Sequence, residues 1–398
     1  MLAPAVLGLL LYTHAAAQPC DARSLFVRMV ASPTAFDRFG AVAVADLDGD
    51  GDLDVASATS AAGLQVLRND GEGNFEPVIA LPLADRGWQL VAGDWDGDGD
   101  ADLAASLENG TVVVLRNGGD ADFELAGEFM LAGAAAGLAA ADVDGDGDAD
   151  LAVSLVLDAQ YVLLTNDGAG AFTPGAPRVL PWDTIQLTLA DVDTDGDADL
   201  IAAQLIAPRL AVAMGDGGGG FGAFVQYDAA DTNFAYVQPV DLDGDGDLDL
   251  VLAEDGAQVM LNAGDGTFGT PTQYPFANAE LTPIIGDYDG DGAVDLLLSG
   301  TTVSGLGLVR GRGDGTFDAV ELIETGAPYY RTAGGDFNGD GAIDFIGATG
   351  IVDEPWDVLR NDCPAAKTPA CRADFDGDGS LTIFDFLAFQ NAFAAGCP

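Results

Sequence analysis

The sequence predicts an all-β fold: a seven-bladed β-propeller followed by a small C-terminal loop-helix module. Three observations lead to this prediction. An aspartate-rich stretch of nine residues recurs every 46 to 50 residues, short apolar runs flank each copy, and a phenylalanine follows most copies at a regular distance. Repeats of about 40 to 50 residues are typical of propeller blades with four strands each.

The repeated stretch is represented by "DLDGDGDLD", residues 46–54. Carboxylates occupy positions 1, 3, 5 and 9, and position 6 is glycine in all seven copies. A chain that reverses sharply needs backbone torsions that only glycine adopts at low cost. The first aspartates of the seven copies are Asp46, Asp94, Asp142, Asp191, Asp241, Asp287 and Asp336.

Each copy lies between short apolar runs. In the first unit "AVAVAD" precedes the loop, and "DVASA" and "LQVLRND" follow it. Runs of four to six apolar residues bounded by turn signals favour strands that are buried on both faces. The third run ends in a glycine-rich turn and a phenylalanine, which we expect to begin the fourth strand. These phenylalanines are Phe75, Phe123, Phe172, Phe221, Phe268 and Phe317.

The same phenylalanine spacing predicts how the ring closes. Phe26, in "SLFVRMV", lies 49 residues before Phe75 and has no acidic loop before it. The seventh unit ends at "WDVLRNDCP" without a phenylalanine strand of its own. We therefore expect the N-terminal strand to complete the seventh blade of a propeller domain spanning residues 18–363, which removes an open sheet edge.

Residues 1–17 are interpreted as a cleaved secretory signal, because an apolar stretch precedes a small-residue Ala-x-Ala site. A membrane anchor is the alternative, but the run is shorter than the roughly 20 residues that span a bilayer. We therefore expect a secreted or cell-surface protein with no membrane span.

Four cysteines in such a protein favour disulfides. Of the three pairings they allow, the expected ring closure favours Cys20 with Cys363 and Cys371 with Cys397.

The charge of the chain favours cations as partners. With 65 acidic and 14 basic residues the formal net charge is −51, so nucleic acid and anionic membrane surfaces are poor partners. Ca²⁺ binds six to eight oxygens, which a tight loop can supply from alternating positions. An ordinary acidic hairpin turn would explain the Asp-Gly pairs, but not carboxylates at fixed positions in seven copies.

We therefore predict about seven calcium sites in the propeller, with the residue at position 7 contributing its backbone carbonyl. In the seventh loop an asparagine replaces one carboxylate. The predicted metal-binding residues are Asp46, Asp48, Asp50, Asp52 and Asp54; Asp94, Asp96, Asp98, Asp100 and Asp102; Asp142, Asp144, Asp146, Asp148 and Asp150; Asp191, Asp193, Asp195, Asp197 and Asp199; Asp241, Asp243, Asp245, Asp247 and Asp249; Asp287, Asp289, Asp291 and Asp295; and Asp336, Asn338, Asp340 and Asp344.

The segment "FGAVAVADLDGDGDLDVASA", residues 39–58, resembles an FG-GAP repeat, also classed with VCBS repeats, of the kind that builds the integrin α-subunit propeller. The resemblance extends over residues 24–362, although a literal "FG" precedes only the first loop. It implies calcium sites in hairpin loops between the first two strands of each blade. It also implies that ligands, where they are bound, use the opposite face.

An eighth loop begins in the same way but ends differently. In "ADFDGDGSLTIFDFLAFQNAFAAGCP" the next carboxylate comes at position 12, the closing position of an EF-hand loop, and an amphipathic helix follows. Residues 371–398 resemble a dockerin-type module, joined through a linker at residues 364–370. A complete cellulosomal dockerin has two such loops, and a calcium-stabilised cap is the alternative. The predicted ligands are Asp374, Asp376, Asp378, Ser380 and Asp385.

These features favour a protein that acts in binding, adhesion or as a scaffold, with an extracellular protein or glycan as its ligand. The C-terminal module would dock or sort this protein. A propeller polysaccharide lyase or hydrolase is the alternative. The only histidine, His14, lies in the expected signal, and more than half of the acidic residues belong to the loops. Acid-base catalysis would therefore rest on Tyr329, Tyr330 and Arg331, and we expect no enzyme activity.

Aromatic and arginine side chains in the connections are candidates for the ligand face, because binding surfaces are enriched in these types. Packing between blades is the alternative role. The candidates are Arg38, Arg86, Trp88, Trp182, Tyr236, Tyr330, Arg331 and Trp356.

Overall fold

The fold was analysed in a computed structural model. It describes residues 26–30, 41–59, 63–204, 207–229, 236–253, 256–276, 283–300, 303–351 and 354–361. These residues form seven antiparallel sheets. In six of them the strands follow chain order from the innermost to the outermost, and in the seventh the outermost strand comes from the start of the chain. The predicted all-β, seven-bladed propeller is confirmed.

The blades are numbered in chain order, with the innermost strand given first. Blade 1 is β2 (Ala41–Ala45), β3 (Asp54–Thr59), β4 (Gly63–Asn69) and β5 (Phe75–Leu81); blade 2 is β6 (Gly87–Gly93), β7 (Asp102–Leu107), β8 (Thr111–Asn117) and β9 (Phe123–Met130); blade 3 is β10 (Ala134–Ala141), β11 (Asp150–Val156), β12 (Gln160–Thr165) and the short β13 (Thr173–Pro174) and β14 (Arg178–Val179). Blade 4 is β15 (Thr184–Ala190), β16 (Asp199–Gln204), β17 (Arg209–Ala213) and β18 (Val225–Asp228); blade 5 is β19 (Tyr236–Val240), β20 (Asp249–Ala253), β21 (Gly256–Met260) and β22 (Thr272–Pro275). Blade 6 is β23 (Ile284–Gly286), β24 (Asp295–Ser299), β25 (Gly305–Val309) and β26 (Glu321–Glu324); blade 7 is β27 (Thr332–Gly335), β28 (Asp344–Ile351), β29 (Glu354–Asn361) and β1 (Phe26–Val30).

The N-terminal strand closes the ring as predicted. Strand β1 pairs antiparallel with β29, with Phe26 opposite Asn361 and Val30 opposite Asp357. Phe26 and Asn361 thus pair between the third and the outermost strand of blade 7, as Phe75 and Asn69 do in blade 1. Because β1 comes from the start of the chain and β29 from its end, one sheet joins the two ends.

Of the six phenylalanines expected to begin a fourth strand, two do so, and Phe172 comes directly before β13. Phe75 and Phe123 begin β5 and β9. In blades 4, 5 and 6 the phenylalanine forms a single isolated bridge, and the outer strand begins four residues later. In these blades the third strand ends two residues before the residue that bridges to the phenylalanine, so the bridge is separated from the ladder.

The core lies between neighbouring blades. The second strand of a blade is buried on both faces, as β3 and β7 show at every position. The side chain at position 2 of each acidic loop is also buried and packs against the adjacent blade. Trp95 contacts Phe172 of blade 3 with ring centroids 6.1 Å apart, and Phe337 contacts Phe75 of blade 1 at 5.3 Å.

Several predictions lie outside the described residues. These are the signal at residues 1–17, the cysteine pairs Cys20–Cys363 and Cys371–Cys397, the linker, the C-terminal module with its eighth loop, and Arg38. In the described part of the chain no α-helix has the length and apolarity needed to cross a bilayer.

Candidate functional site

The seven acidic loops connect the first strand of each blade to the second. Asp46 directly follows β2 and Asp54 begins β3, and the other blades repeat this arrangement. The glycine at position 6 has φ between 89° and 97° in all seven loops, the region that glycine adopts at low cost. Position 4 also needs a positive φ, and Thr194 adopts 61° there in the fourth loop. The sequence did not reveal this second requirement.

The carboxylate at position 1 organises each loop. In the first loop Asp46 accepts hydrogen bonds from the backbone N–H groups of Gly49 and Gly51, at 2.8 and 3.0 Å. The seventh loop keeps the second of these bonds, from Gly341 to Asp336 at 2.8 Å. The loop therefore folds around this carboxylate, and the side chains at positions 3 and 5 are held beside it.

The carboxylates converge closely enough to share a cation. Oxygens of Asp46, Asp48 and Asp50 all lie within 4.8 Å of one another, about twice the 2.3 to 2.6 Å of a Ca–O bond. The other groups with this geometry include Asp94 with Asp96 and Asp102, Asp142 with Asp144 and Asp146, Asp191 with Asp193 and Asp199, and Asp241 with Asp243 and Asp245.

Some carboxylate oxygens in these groups are buried without a hydrogen-bond partner among the described residues. They are one oxygen each of Asp96, Asp144 and Asp191. A buried carboxylate oxygen with no donor costs free energy, and a bound cation would remove that cost. Both the spacing and the unpartnered oxygens fit a hard divalent ion.

The carboxylate at position 9 has a second role. Asp54 is fully buried and accepts hydrogen bonds from Leu47 N at 3.0 Å and Asn69 N at 2.7 Å. It thus ties the start of the loop to the end of the third strand, and each of the other six blades has the same pair of bonds. In the groups around Asp94 and Asp191 it also faces the metal-binding cluster.

The carboxylate at position 7 points elsewhere. A Cβ atom added to Gly71, in the turn between β4 and β5, would collide with the Asp52 side chain, and Gly168 and Asp148 have the same relation. These position 7 side chains therefore lie against a neighbouring turn, and the contribution of a backbone carbonyl from position 7 to a metal stays a prediction.

Each loop also carries a contact that joins two blades. Asn69 at the end of β4 donates to the carbonyl of Phe337, position 2 of the seventh loop, at 2.8 Å. The same bond, from an asparagine to the position 2 carbonyl of the preceding blade, is formed by Asn117, Asn166, Asn262 and Asn361. In blades 4 and 6 the residue equivalent to Asn69 is glycine, Gly215 or Gly311. There the donor lies four residues later: the N–H groups of Gly219 and Gly315 donate to the position 2 carbonyls of the preceding blades.

All seven blade interfaces thus contain a hydrogen bond to an acidic loop, worth about 1 kcal/mol each. The sequence motifs did not point to these asparagines, although "RN" recurs at the ends of the third strands of blades 1, 2 and 7.

Six of the seven loops fall into two groups by the charge of one neighbouring residue; blade 7 has Arg360 at the equivalent place. In blades 1, 2 and 6 an arginine on the third strand, or directly after it in blade 6, reaches position 3: Arg68 Nε lies 2.9 Å from Asp48 Oδ2, Arg116 Nη1 lies 3.7 Å from Asp96 Oδ2, and Arg310 pairs with Asp289. The equivalent residues in blades 3, 4 and 5 are Thr165, Met214 and Leu261, which carry no charge.

A cavity of about 450 Å³ opens at the opposite end of the central channel. It lies where the innermost strands begin, whereas the acidic loops follow their ends. Three predicted ligand-face residues from three blades line it: Trp88, Tyr236 and Arg331. Trp88 is 36% exposed, and Arg331 Nη1 donates to the hydroxyl of Tyr236 at 2.9 Å. Sequence analysis missed Gln186 and Gln238 in the same cavity.

The remaining candidates do not join this cavity. Arg86 pairs with Glu108, and Trp182 and Tyr330 are half-buried. Trp356 is 3% exposed and packs in the core between blades 7 and 1, the alternative role considered for these residues. Tyr329 is fully buried and its hydroxyl donates to Asp357 at 3.0 Å.

Lowering the pH is expected to stabilise the metal-free protein. Burial raises the pKa of Asp54 and Asp102 to about 6, and that of Asp295 and Asp344 to about 7, from 3.8. Between about pH 4 and pH 7 the folded state binds more protons at these positions than the unfolded state. The free energy of unfolding therefore falls as the pH rises through this window.

Melting curves recorded in chelator at several pH values measure this effect. We expect a higher melting temperature at about pH 5 than at about pH 7.5, and a flatter dependence in an Asp344→Asn variant. A melting temperature that increases steadily over this interval would contradict the prediction.

The fold and the loops define a class: a β-propeller in which each blade has one acidic loop, all on the same face. The FG-GAP-like repeat profile matches residues 46–105, 103–153, 241–298 and 287–347. Together these matches cover more than half of the chain, so the protein belongs to the FG-GAP-like repeat family. No curated protein sequence shows significant similarity to the chain.

Solved structures show the same fold at low sequence identity. A lectin from Agrocybe aegerita, described as recognising non-reducing terminal N-acetylglucosamine, is 24% identical with a TM-score of 0.52, covering 76% of this chain and 80% of the lectin. BBS1N in complex with ARL6DN is 12% identical with a TM-score of 0.59, covering 86% and 99%. A Lactobacillus plantarum protein is 13% identical with a TM-score of 0.54, covering 71% and 84%.

Proposed function

We propose that this protein is an extracellular, calcium-binding β-propeller that acts as a binding, adhesion or scaffold module. The observation that carries the proposal is the convergence of carboxylates at positions 1, 3 and 5 or 9 of the acidic loops. The C-terminal segment at residues 371–398 would dock or sort the protein, and the N-terminal signal would direct its secretion.

Calcium would be held by residues of a single loop in each blade. The side chains at positions 1, 3, 5 and 9 supply oxygens, and position 7 supplies its carbonyl. When bound, the ion supplies positive charge that offsets the repulsion among these carboxylates. Since position 2 of the same loop is bonded to the next blade, ordering a loop also supports a blade interface.

The ligand would bind at the face opposite the calcium loops. One structural neighbour is described as recognising a sugar, and another is described in complex with a protein partner. A sugar or a protein ligand would each be compatible with the proposed scaffold role. We also propose that the protein has no enzyme activity, since the candidate Tyr329 is buried and bonded to Asp357.

The charge difference between loops predicts two classes of calcium site. In blades 1, 2 and 6 the arginine must give up its ion pair, or remain as a like charge beside the metal, so these sites should bind more weakly. The variant Arg310→Leu copies the residue of blade 5. We expect it to increase the calcium affinity of the sixth loop roughly tenfold, about 1.4 kcal/mol, as measured by isothermal titration calorimetry.

A matched control lies two residues away. Arg312 is exposed and pairs with Asp318 outside the acidic loops, so Arg312→Leu should leave the calcium isotherm unchanged. Absence of any calcium binding would refute the proposed function. Equal isotherms for Arg310→Leu and the unmodified protein would refute only the two classes.

A further inference from the structure

We propose that the mouth of the central channel binds a sugar acid, that is, a sugar ring bearing a carboxylate. The inference rests on the proposed binding function and names the ligand chemistry of its free face. The cavity of about 450 Å³ falls within the roughly 300 to 1,000 Å³ typical of small-ligand sites. Innermost strands of six blades line it, so the ring closure of the propeller creates the site.

Arg331 supplies the group that would recognise a carboxylate. Among the described residues, its guanidinium makes one hydrogen bond, to Tyr236, and no ion pair. The described lining of the cavity contains no aspartate or glutamate. The planar guanidinium therefore keeps donors for a bidentate carboxylate contact. The arginines paired with a carboxylate elsewhere are Arg68, Arg86, Arg116, Arg209, Arg310 and Arg312.

Six arginines of the described residues have a carboxylate partner, and Arg178, which donates to the carbonyl of Gly219, is like Arg331 in forming no ion pair there. Acidic residues outnumber basic ones 65 to 14, so a cation at a random surface position would readily find a carboxylate partner. The cavity instead pairs Arg331 with a neutral phenol. This arrangement holds the guanidinium in place and leaves its charge available to a ligand.

The rest of the cavity suits a sugar ring. The partly exposed Trp88 offers an aromatic face for the apolar side of a ring. Gln238 Oε1 is buried and has no hydrogen-bond partner among the described residues, so a ligand hydroxyl would satisfy it. Tyr236 adds a second polar group. By contrast, Gln186 Oε1 already accepts a bond from Val237 N at 2.6 Å.

The distribution of charge also permits an anion here. The seven acidic loops at the other face of the propeller hold 32 of the 65 acidic residues. An acidic sugar that approaches the channel mouth therefore meets Arg331 before it meets the acidic loops. Filling the loops with divalent cations would reduce the remaining repulsion further.

Titration calorimetry with the full chain in calcium tests the proposal. The probes are glucuronate and galacturonate, compared with glucose and galactose. We expect the uronates to bind at least tenfold more tightly than the neutral sugars. Arg331→Gln should remove this preference, Arg331→Lys should restore part of it, and Trp88→Ala should weaken binding of both kinds. Melting curves establish that each variant is folded.

Arg209→Gln is the control, because Arg209 pairs with Asp228 on an outer part of blade 4; its uronate affinity should be unchanged. Equal affinity for acidic and neutral sugars, or an unchanged preference in folded Arg331→Gln, would overturn the proposal. So would acetate or an acidic peptide that binds as tightly as the uronates. If no uronate binds while calcium does, the inference fails and the calcium-binding function stands.

Discussion

Removing calcium is expected to lower the melting temperature of this protein substantially. In at least five of the loops three carboxylates have oxygens within 4.8 Å of one another, and without an ion they repel one another. A ligand that binds only the folded state at a hundredfold excess over its Kd stabilises it by about 2.7 kcal/mol per site. Seven such sites correspond to a decrease on the order of 20 °C.

Thermal melts in millimolar calcium and in chelator measure this difference. Magnesium is the control, since it prefers near-octahedral sites with retained water and should replace calcium poorly. Coincident melting curves in calcium and chelator would contradict the prediction.

Deleting residues 18–30 is expected to cause the second large effect. The deletion removes β1, so β29 becomes an open edge strand, and the contact between Phe26 and Tyr288 of blade 6, with ring centroids 6.1 Å apart, is lost. Unpaired edges promote association with other chains. We expect loss of the cooperative melting transition of the ring and aggregation, measured by calorimetry and light scattering.

Single substitutions distinguish the contribution of the β1 backbone to stability from that of the Phe26 side chain. Phe26→Ala keeps β1 but removes the ring from a half-buried site beside Tyr288, and should cost about 2 kcal/mol, less than a fully buried phenylalanine. Met130→Ala is the control, because Met130 is 71% exposed, and should change the free energy of unfolding by no more than about 0.5 kcal/mol. A deletion variant that melts like the intact protein would mean that β1 does not hold the ring together.

Much of the fold could be predicted because the repeat gives independent signals seven times. Period, loop and phenylalanine spacing each led to the same blade, and the spacing of Phe26 located the closing strand. The outer strands were predicted less well. Their pairing after Phe221 begins only at Val225, because the start of a ladder depends on where the preceding strand ends, which apolar runs do not reveal.

The candidate sites differ in the same way. The acidic loops are local, so the sequence located their carboxylates, whereas the positive φ at position 4, the direction of the position 7 side chains and the asparagine bonds between blades required coordinates. The cavity is not local: Tyr236 and Arg331 are 95 residues apart and meet across the channel. Their residue types made Tyr236, Arg331 and Trp356 candidates from the sequence. Only the geometry of the ring shows which residues line the channel and which pack between blades.

The central claim, that the acidic loops are calcium sites, is tested most directly by counting bound ions. Native mass spectrometry of the mature chain in calcium should show about seven ions on the propeller and one more on the predicted C-terminal loop. A double variant, Asp142→Ala with Asp144→Ala, should remove one ion and leave the others. A chain that carries no calcium, or a count that the double variant does not change, would contradict the claim.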